Sequence, residues 1–190
     1  MARERKFTTD QLFQEVKQLL LQHKYEGFHF GLLAERLEVS RGTLYKYYEN
    51  KEELISDFMI YEMELMLGEI KLIENHTGFT AQFDYLMQVI FRHSMIHQIL
   101  GMIHQLPVSS NPKVIANKKK MDESHLSLYQ LLQRFIDLGR QEKILKDDLP
   151  DGLLLGIIFQ TINLPNHFGI AQDEWLRSIK EILRHGMFTK

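Results

Sequence analysis

The chain has 190 residues, 44% of them hydrophobic and 25% charged, with a net charge of −2 at pH 7. That is room for one good core or two small ones in the composition of an ordinary soluble protein. The absence of cysteine excludes disulfides and thiolate metal sites, and the near-neutral charge excludes indiscriminate nucleic-acid binding by the whole surface. The strongest apolar run, Leu153 to Ile158, is far short of the ~20 residues of a membrane span. The basic start, Met1 to Lys6, leads into no apolar stretch of the secretory type, so a cytoplasmic protein is expected. Charge is divided unevenly: residues 1–51 hold 9 basic and 7 acidic side chains, the remainder 14 and 18. The N-terminal end is therefore the one suited to a polyanion.

All four prolines fall after residue 100, and apolar spacings near three and four run throughout, which predicts an all-α protein. Thr8-x-x-Gln11 reads as a capping box opening a first helix, with Leu12, Phe13, Val16, Leu19 and Leu20 on one stripe and Gly27 after it. A second helix is expected over Phe30 to Leu37, burying Leu33 and Leu37. After a turn at Glu38-Val39, Ser40 caps a third over Arg41 to Tyr48. Asn50-x-x-Glu53 opens a long fourth helix carrying Leu54, Ile55, Phe58, Tyr61 and Leu65. The pattern resumes from Phe83 towards Leu106, breaks at Pro107 to Pro112, and starts again with the cap-then-proline pair Asn111-Pro112. A helix to about Gly139, another after Asp147 to Pro150 and a last one over Glu174 to His185 make roughly nine.

The densest chemistry lies between Ala34 and Leu54. A helix-turn-helix needs a small residue at the helix crossing, a tight turn and an apolar anchor on the second helix. Ala34, Val39 and the pair Leu44 and Tyr48 meet those needs. Arg41, Gly42, Thr43, Tyr45 and Lys46 then face outward, suited to a major groove, and Gly42 would let the backbone approach closely. Tyr47 and Lys51 follow within reach of a phosphate.

The string Gly27…Leu33-Ala34…Val39-Ser40-x-Gly42-Thr43-Leu44-Tyr45-x-Tyr47-Tyr48-x-x-Lys51-x-x-Leu54 resembles the signature of the TetR (tetracycline-repressor) family of transcriptional regulators, over roughly residues 8–55. The resemblance implies a three-helix DNA-binding domain at 1–50 and a ligand-binding and dimerisation bundle at 51–190. It places Tyr45 and Lys46 at base or backbone contacts and Tyr47 and Lys51 at phosphates. It also implies that the last two helices pair with a second copy, here through Leu154, Ile158, Trp175, Ile179 and Ile182. Two positions depart from the family's pattern: Glu38 stands where the turn usually has glycine, and His29-Phe30 where a phosphate-touching threonine caps helix two. His29 is the candidate substitute.

Elsewhere Met63, Met66, Phe83, Met87, Phe91, His97, Met102 and Phe135 are candidates for an adaptable apolar pocket, although Met and Phe at helical spacing also make plain core. His93 and His97 share a helix face, with His104 and His125 as conceivable companions, but no carboxylate completes a metal set. Lys118 to Lys120 reads as a solvated face. No nucleophile–base pair and no glycine-rich phosphate loop points to an enzyme. The expectation is a homodimeric regulator, without cofactor, that a small apolar or amphipathic effector releases from a palindromic operator. A DNA-binding regulator controlled by protein–protein contact instead of an effector is the alternative.

Overall fold

The computed structural model describes residues 6–100 and 110–189, without the side chains of residues 97, 98 and 100. Among the described residues there are nine α-helices and a single isolated β-bridge, Leu145 to Phe188. In chain order they are α1 (Thr9–Gly27), α2 (Phe30–Arg36), α3 (Arg41–Leu44), α4 (Lys51–Lys71), α5 (Phe79–Arg92), α6 (Ser94–Leu100), α7 (Pro112–Gln141), α8 (Asp151–Gln160) and α9 (Gln172–Met187). The all-α expectation holds.

The caps fall where their side chains predict. The Thr8 hydroxyl accepts from the Gln11 amide while the Gln11 side chain accepts from the Thr8 amide, a complete capping box. Ser40 accepts from the Thr43 amide, Asn50 from Glu53, and Asn111 from Lys113 and Val114 with Pro112 in the first helical position. Three extents differ from expectation. Helix α3 closes at Leu44 and continues as turns, its last amides reaching back three or four residues as far as Tyr48. The apolar run after Phe83 is broken at His93 into α5 and α6. Helix α1 kinks at Lys24, whose φ of 58° and ψ of −174° leave the helical region before Gly27 is reached.

The chain divides into two compact units, Met1–Glu64 with Met95–Glu123 and Leu65–Ser94 with Ser124–Lys190. In the first, Leu12, Val16, Leu19, Leu33, Leu44, Leu54, Ile55 and Phe58 form a buried core around the crossing of α1, α2 and α3 with the start of α4. Leu44 is wholly buried, so its truncation to alanine should cost about 2–5 kcal/mol. The second unit has its own core, with Phe79 and Phe135 stacked at 4.7 Å between ring centres. Gly139 lies under that stack: an added Cβ would come within 2.7 Å of Phe79 and Leu145, so only glycine lets α7 approach so closely. Asp84 on α5 accepts two hydrogen bonds from Arg184 and one from Lys180, all at 2.8 Å, pinning α9.

Leu65 is 47% exposed. Leu72, just past the end of α4, is exposed as well.

Candidate nucleic-acid interface

The turn between α2 and α3 is a Schellman motif. The Val39 amide donates to the Ala34 carbonyl at 2.9 Å and the Glu38 amide to Glu35 at 3.1 Å, with Glu38 left-handed at φ 52°. Glu38 thus takes the conformation that glycine would adopt without strain. His29 is the N-cap of α2, its Nδ1 accepting from the Leu32 amide at 3.4 Å. Its ring lies over Gly31, where a Cβ would be 2.9 Å from Nδ1.

On α3 and the turns after it, Leu44 and Tyr48 point into the core while Arg41, Gly42, Tyr45 and Lys46 are exposed. Tyr45 is 59% exposed yet not loose, because its ring leans on Phe30 at 4.9 Å. The Thr43 hydroxyl is 3.0 Å from that of Ser40, and the Tyr47 ring sits edge-on to Phe7 at 5.7 Å. At Gly42 a Cβ would find nothing nearer than the Ser40 hydroxyl at 3.8 Å, so the fold itself does not require glycine there. The outward face therefore gathers two cations, an aromatic phenol and a bare stretch of backbone.

Lys51 is placed otherwise than the sequence suggested. Its ammonium donates to the carbonyls of Tyr25 at 3.0 Å and Phe28 at 3.4 Å and lies 4.2 Å over the Tyr25 ring. It closes the kinked end of α1. Next to it the Tyr25 hydroxyl donates to Glu52, and burial with that hydrogen bond and the nearby carboxylates pushes the phenol well above its ordinary value.

A polar seam joins the start of α4 to the start of α7. Asn111 donates to Glu49, Lys113 pairs with Glu53 at 3.1 Å and Asp57 at 2.6 Å, Asn117 donates to Ser56 and Asp57, and Lys120 pairs with Glu64. Burial pulls the Lys113 ammonium down, but the two carboxylates outweigh it and hold the group above its ordinary value. Of the three lysines read as a solvated face, Lys120 belongs to this seam and Lys119 pairs with Glu123 on its own helix. The spacing of Lys113, Asn117 and Lys120 puts them on one face of α7, but their partners are more than fifty residues away, beyond what helical spacing can indicate.

The pocket candidates separate. Met63 is buried in the first core; Met66, Phe83, Met87, Phe91 and Phe135 are buried in the second. Met102 and the His97 side chain lie outside the described residues, as do Arg3, Arg5 and His104. His93 is 3.1 Å from Glu69, whose other oxygen holds Arg92, and His125 is exposed. Among the described residues no group of three side chains gathers as a metal site.

The dimer candidates need correction. Leu154, Ile158 and Ile179 are buried within the chain's own second core and are not available to a partner. The apolar side chains that α8 and α9 turn outward are Leu153, Ile157 and Ile182, the last 71% exposed, with Trp175 half-buried beside them.

A capped helix-turn-helix with an outward basic and aromatic face defines the class: a DNA-binding regulator. Residues 17–57 match the family of bacterial regulatory proteins of the tetR type. Over that module the chain is similar to the DNA-binding part of the tetR family. The described fold agrees along its length. The structure of the ketosteroid transcriptional regulator KstR2 of Mycobacterium tuberculosis is similar at a TM-score of 0.75 and 14% identity, covering 100% of this chain and 98% of that one. FadR from Bacillus subtilis in complex with stearoyl-CoA gives 0.65 at 20% identity, covering 94% and 99%. AibR in complex with isovaleryl coenzyme A and operator DNA gives 0.69 at 14%, covering 95% and 96%. No curated protein sequence matches. Among the described residues no helix is long and apolar enough to cross a membrane.

Proposed function

We propose that this chain is a homodimeric, effector-responsive transcriptional repressor of the cytoplasm, with no catalytic role, that binds a palindromic operator through α3. The exposed surface of Arg41, Gly42, Tyr45 and Lys46 on a helix anchored by buried Leu44 carries the reading. Tyr45 and Lys46 read base edges, the bare backbone at Gly42 comes closest to the groove, and Thr43 and Tyr47 face phosphates. His29 and Lys51 act one step back, fixing the start of α2 and the end of α1. The functional division falls at residue 50, with DNA recognition before it and control after it.

Two copies pair through the outward face of α8 and α9, built on Leu153, Ile157, Trp175 and Ile182. The effector is apolar or amphipathic and enters the Met- and Phe-lined second unit. Fold neighbours caught with stearoyl-CoA and isovaleryl coenzyme A support an acyl-CoA as the first class to try. The signal leaves along α7, whose first turns are fastened by Lys113 and Asn117 to Glu53, Ser56 and Asp57 just after α3. Coupling of ~1–3 kcal/mol between effector and DNA is the ordinary scale.

The test is anisotropy of labelled DNA recovered on the protein, titrated with acyl-CoAs of graded chain length. Release by one chain-length class, with Tyr45→Ala shifting sequence preference, supports the proposal. Indifference to every acyl-CoA removes that effector class, and unchanged recognition by Tyr45→Ala removes the role of α3.

A further inference from the structure

The first turn of α2 lies against the outward side of α3. Phe30 is buried at 5% exposure, and the ring that leans on it is that of Tyr45, 4.9 Å away between centres and inclined at 60°. Tyr45 closes α3, its amide donating to the Arg41 carbonyl at 3.1 Å, so Arg41 stands one turn before it on the same side. The stem of Arg41 runs past Gly31, its Cδ 3.9 Å from where a Cβ on that glycine would be. The His29 ring fills the rest of that gap, with Nδ1 2.9 Å and Cε1 3.0 Å from the same point. A side chain at position 31 would push on the His29 ring and touch the Arg41 stem.

Core packing accounts for a buried Phe30 but not for the tyrosine held against it. A phenol that only roofed the core would itself be covered, whereas Tyr45 rests on Phe30 and keeps 59% of its surface in water. A surface side chain without such a support samples several rotamers and gives them up on binding. That ordering costs about 2- to 10-fold in affinity for one side chain. Contact with a buried ring meets the cost during folding, before any partner arrives.

We propose that Phe30 is a positioning residue for base reading. It holds the Tyr45 ring in its reading pose ahead of DNA, so α2 sets part of the sequence specificity from a position too buried to touch a base. Gly31 serves the neighbouring side chain in the same way, leaving room for the Arg41 stem beside the His29 ring. The inference rests on the reading of α3 as the recognition helix and deepens it.

Selection from a randomised duplex library is made with wild type, Phe30→Met, Tyr45→Ala and the double variant. Each is then titrated on the duplex that wild type enriches most and on a scrambled duplex of the same composition. Methionine keeps most of the volume and removes the flat ring, and circular dichroism with a urea midpoint checks the fold. Phe30→Met should weaken the selected duplex about 2- to 10-fold for each recognition helix engaged and leave the scrambled one as in wild type. It should blur the same base positions as Tyr45→Ala, and in the Tyr45→Ala background it should cost nothing more. An equal loss on both duplexes, or the same loss with and without Tyr45, overturns the proposal and makes Phe30 plain core. Selection of the wild-type sequence by Tyr45→Ala overturns the role of α3 as well. A second measurement needs no folded Phe30 variant: the Tyr45 ring resonances of the free protein, identified by their disappearance in Tyr45→Ala. Displacement of these from the positions of free tyrosine by the Phe30 ring is expected, and undisplaced resonances overturn the proposal.

Discussion

Replacing Lys51 by methionine keeps most of the apolar stem of the side chain and deletes the ammonium, with its charge and its hydrogen bonds. The structure gives that charge two carbonyl acceptors, Tyr25 and Phe28, and the face of one ring. Hydrogen bonds from a charged donor are worth ~1.5–3 kcal/mol and an exposed cation–π contact ~0.5–1. Lys51 is half-buried and water can replace part of what is lost, which brings the expected destabilisation to about 1–2 kcal/mol. For a chain of this length that lowers the melting temperature by roughly 2–8 °C. DNA affinity should fall modestly, because the end of α1 loosens. The slope of log K against log salt should stay as in wild type, since no counterion is released at this position. A direct phosphate contact predicts the reverse, an unchanged melting temperature with the slope reduced by about 0.9 for each copy bound, about 1.8 for a dimer. Thermal denaturation together with a salt titration of binding decides, and that second pattern refutes the assignment of Lys51 to the scaffold.

Other expectations follow from the same geometry. Gly42→Ala meets only an ordinary contact with the Ser40 hydroxyl at 3.8 Å, so stability should hold or rise by about 0.5–1 kcal/mol while DNA affinity drops at least several-fold in a mobility-shift titration; retained affinity would mean that the backbone does not approach the groove. Glu38→Gly relieves a left-handed residue costing ~1–2 kcal/mol, offset by glycine's greater unfolded freedom, for a net gain of about 0.5–1 kcal/mol in urea unfolding. The carboxyl of Asp151 is held below its ordinary value by the Gln133 hydrogen bond, against the upward pull of burial, with Arg140 adding to the lowering. Because the folded form binds its proton less readily, the stabilisation is full above the ordinary aspartate value near 3.8 and fades as pH falls below it. Asp151→Asn should therefore lower the urea midpoint at pH 7, and the difference should shrink progressively as pH falls below the ordinary aspartate value; a constant difference across the range would contradict the linkage.

Local chemistry was the most legible part of the sequence. Thr8, Ser40, Asn50 and Asn111 cap their helices because a side-chain oxygen two to three residues before an orphan amide is a short-range matter. The outward face of α3 and the turns after it was legible for the same reason: with Leu44 and Tyr48 fixed inward, the periodicity sends Arg41, Tyr45 and Lys46 outward. Long-range partners were not. Lys51 has the charge of a phosphate ligand, and only the kink at Lys24, which no spacing rule announces, brings two carbonyls under it. Helix α8 is apolar on nearly every face, so the sequence could not tell Leu154 and Ile158, inward, from Leu153 and Ile157, outward. His93 breaks the apolar run between α5 and α6 and finds Glu69, a partner twenty-four positions back that helical spacing does not reach.

The central claim, that α3 reads DNA sequence, is tested most directly by passing sheared genomic DNA over the purified protein at near-physiological salt and sequencing what is retained. The account predicts enrichment of a palindrome with half-sites one helical turn apart, or a multiple of it, lost or altered when the selection is repeated with Tyr45→Ala. Retention of no sequence above background, or of the same palindrome by the variant, would contradict it.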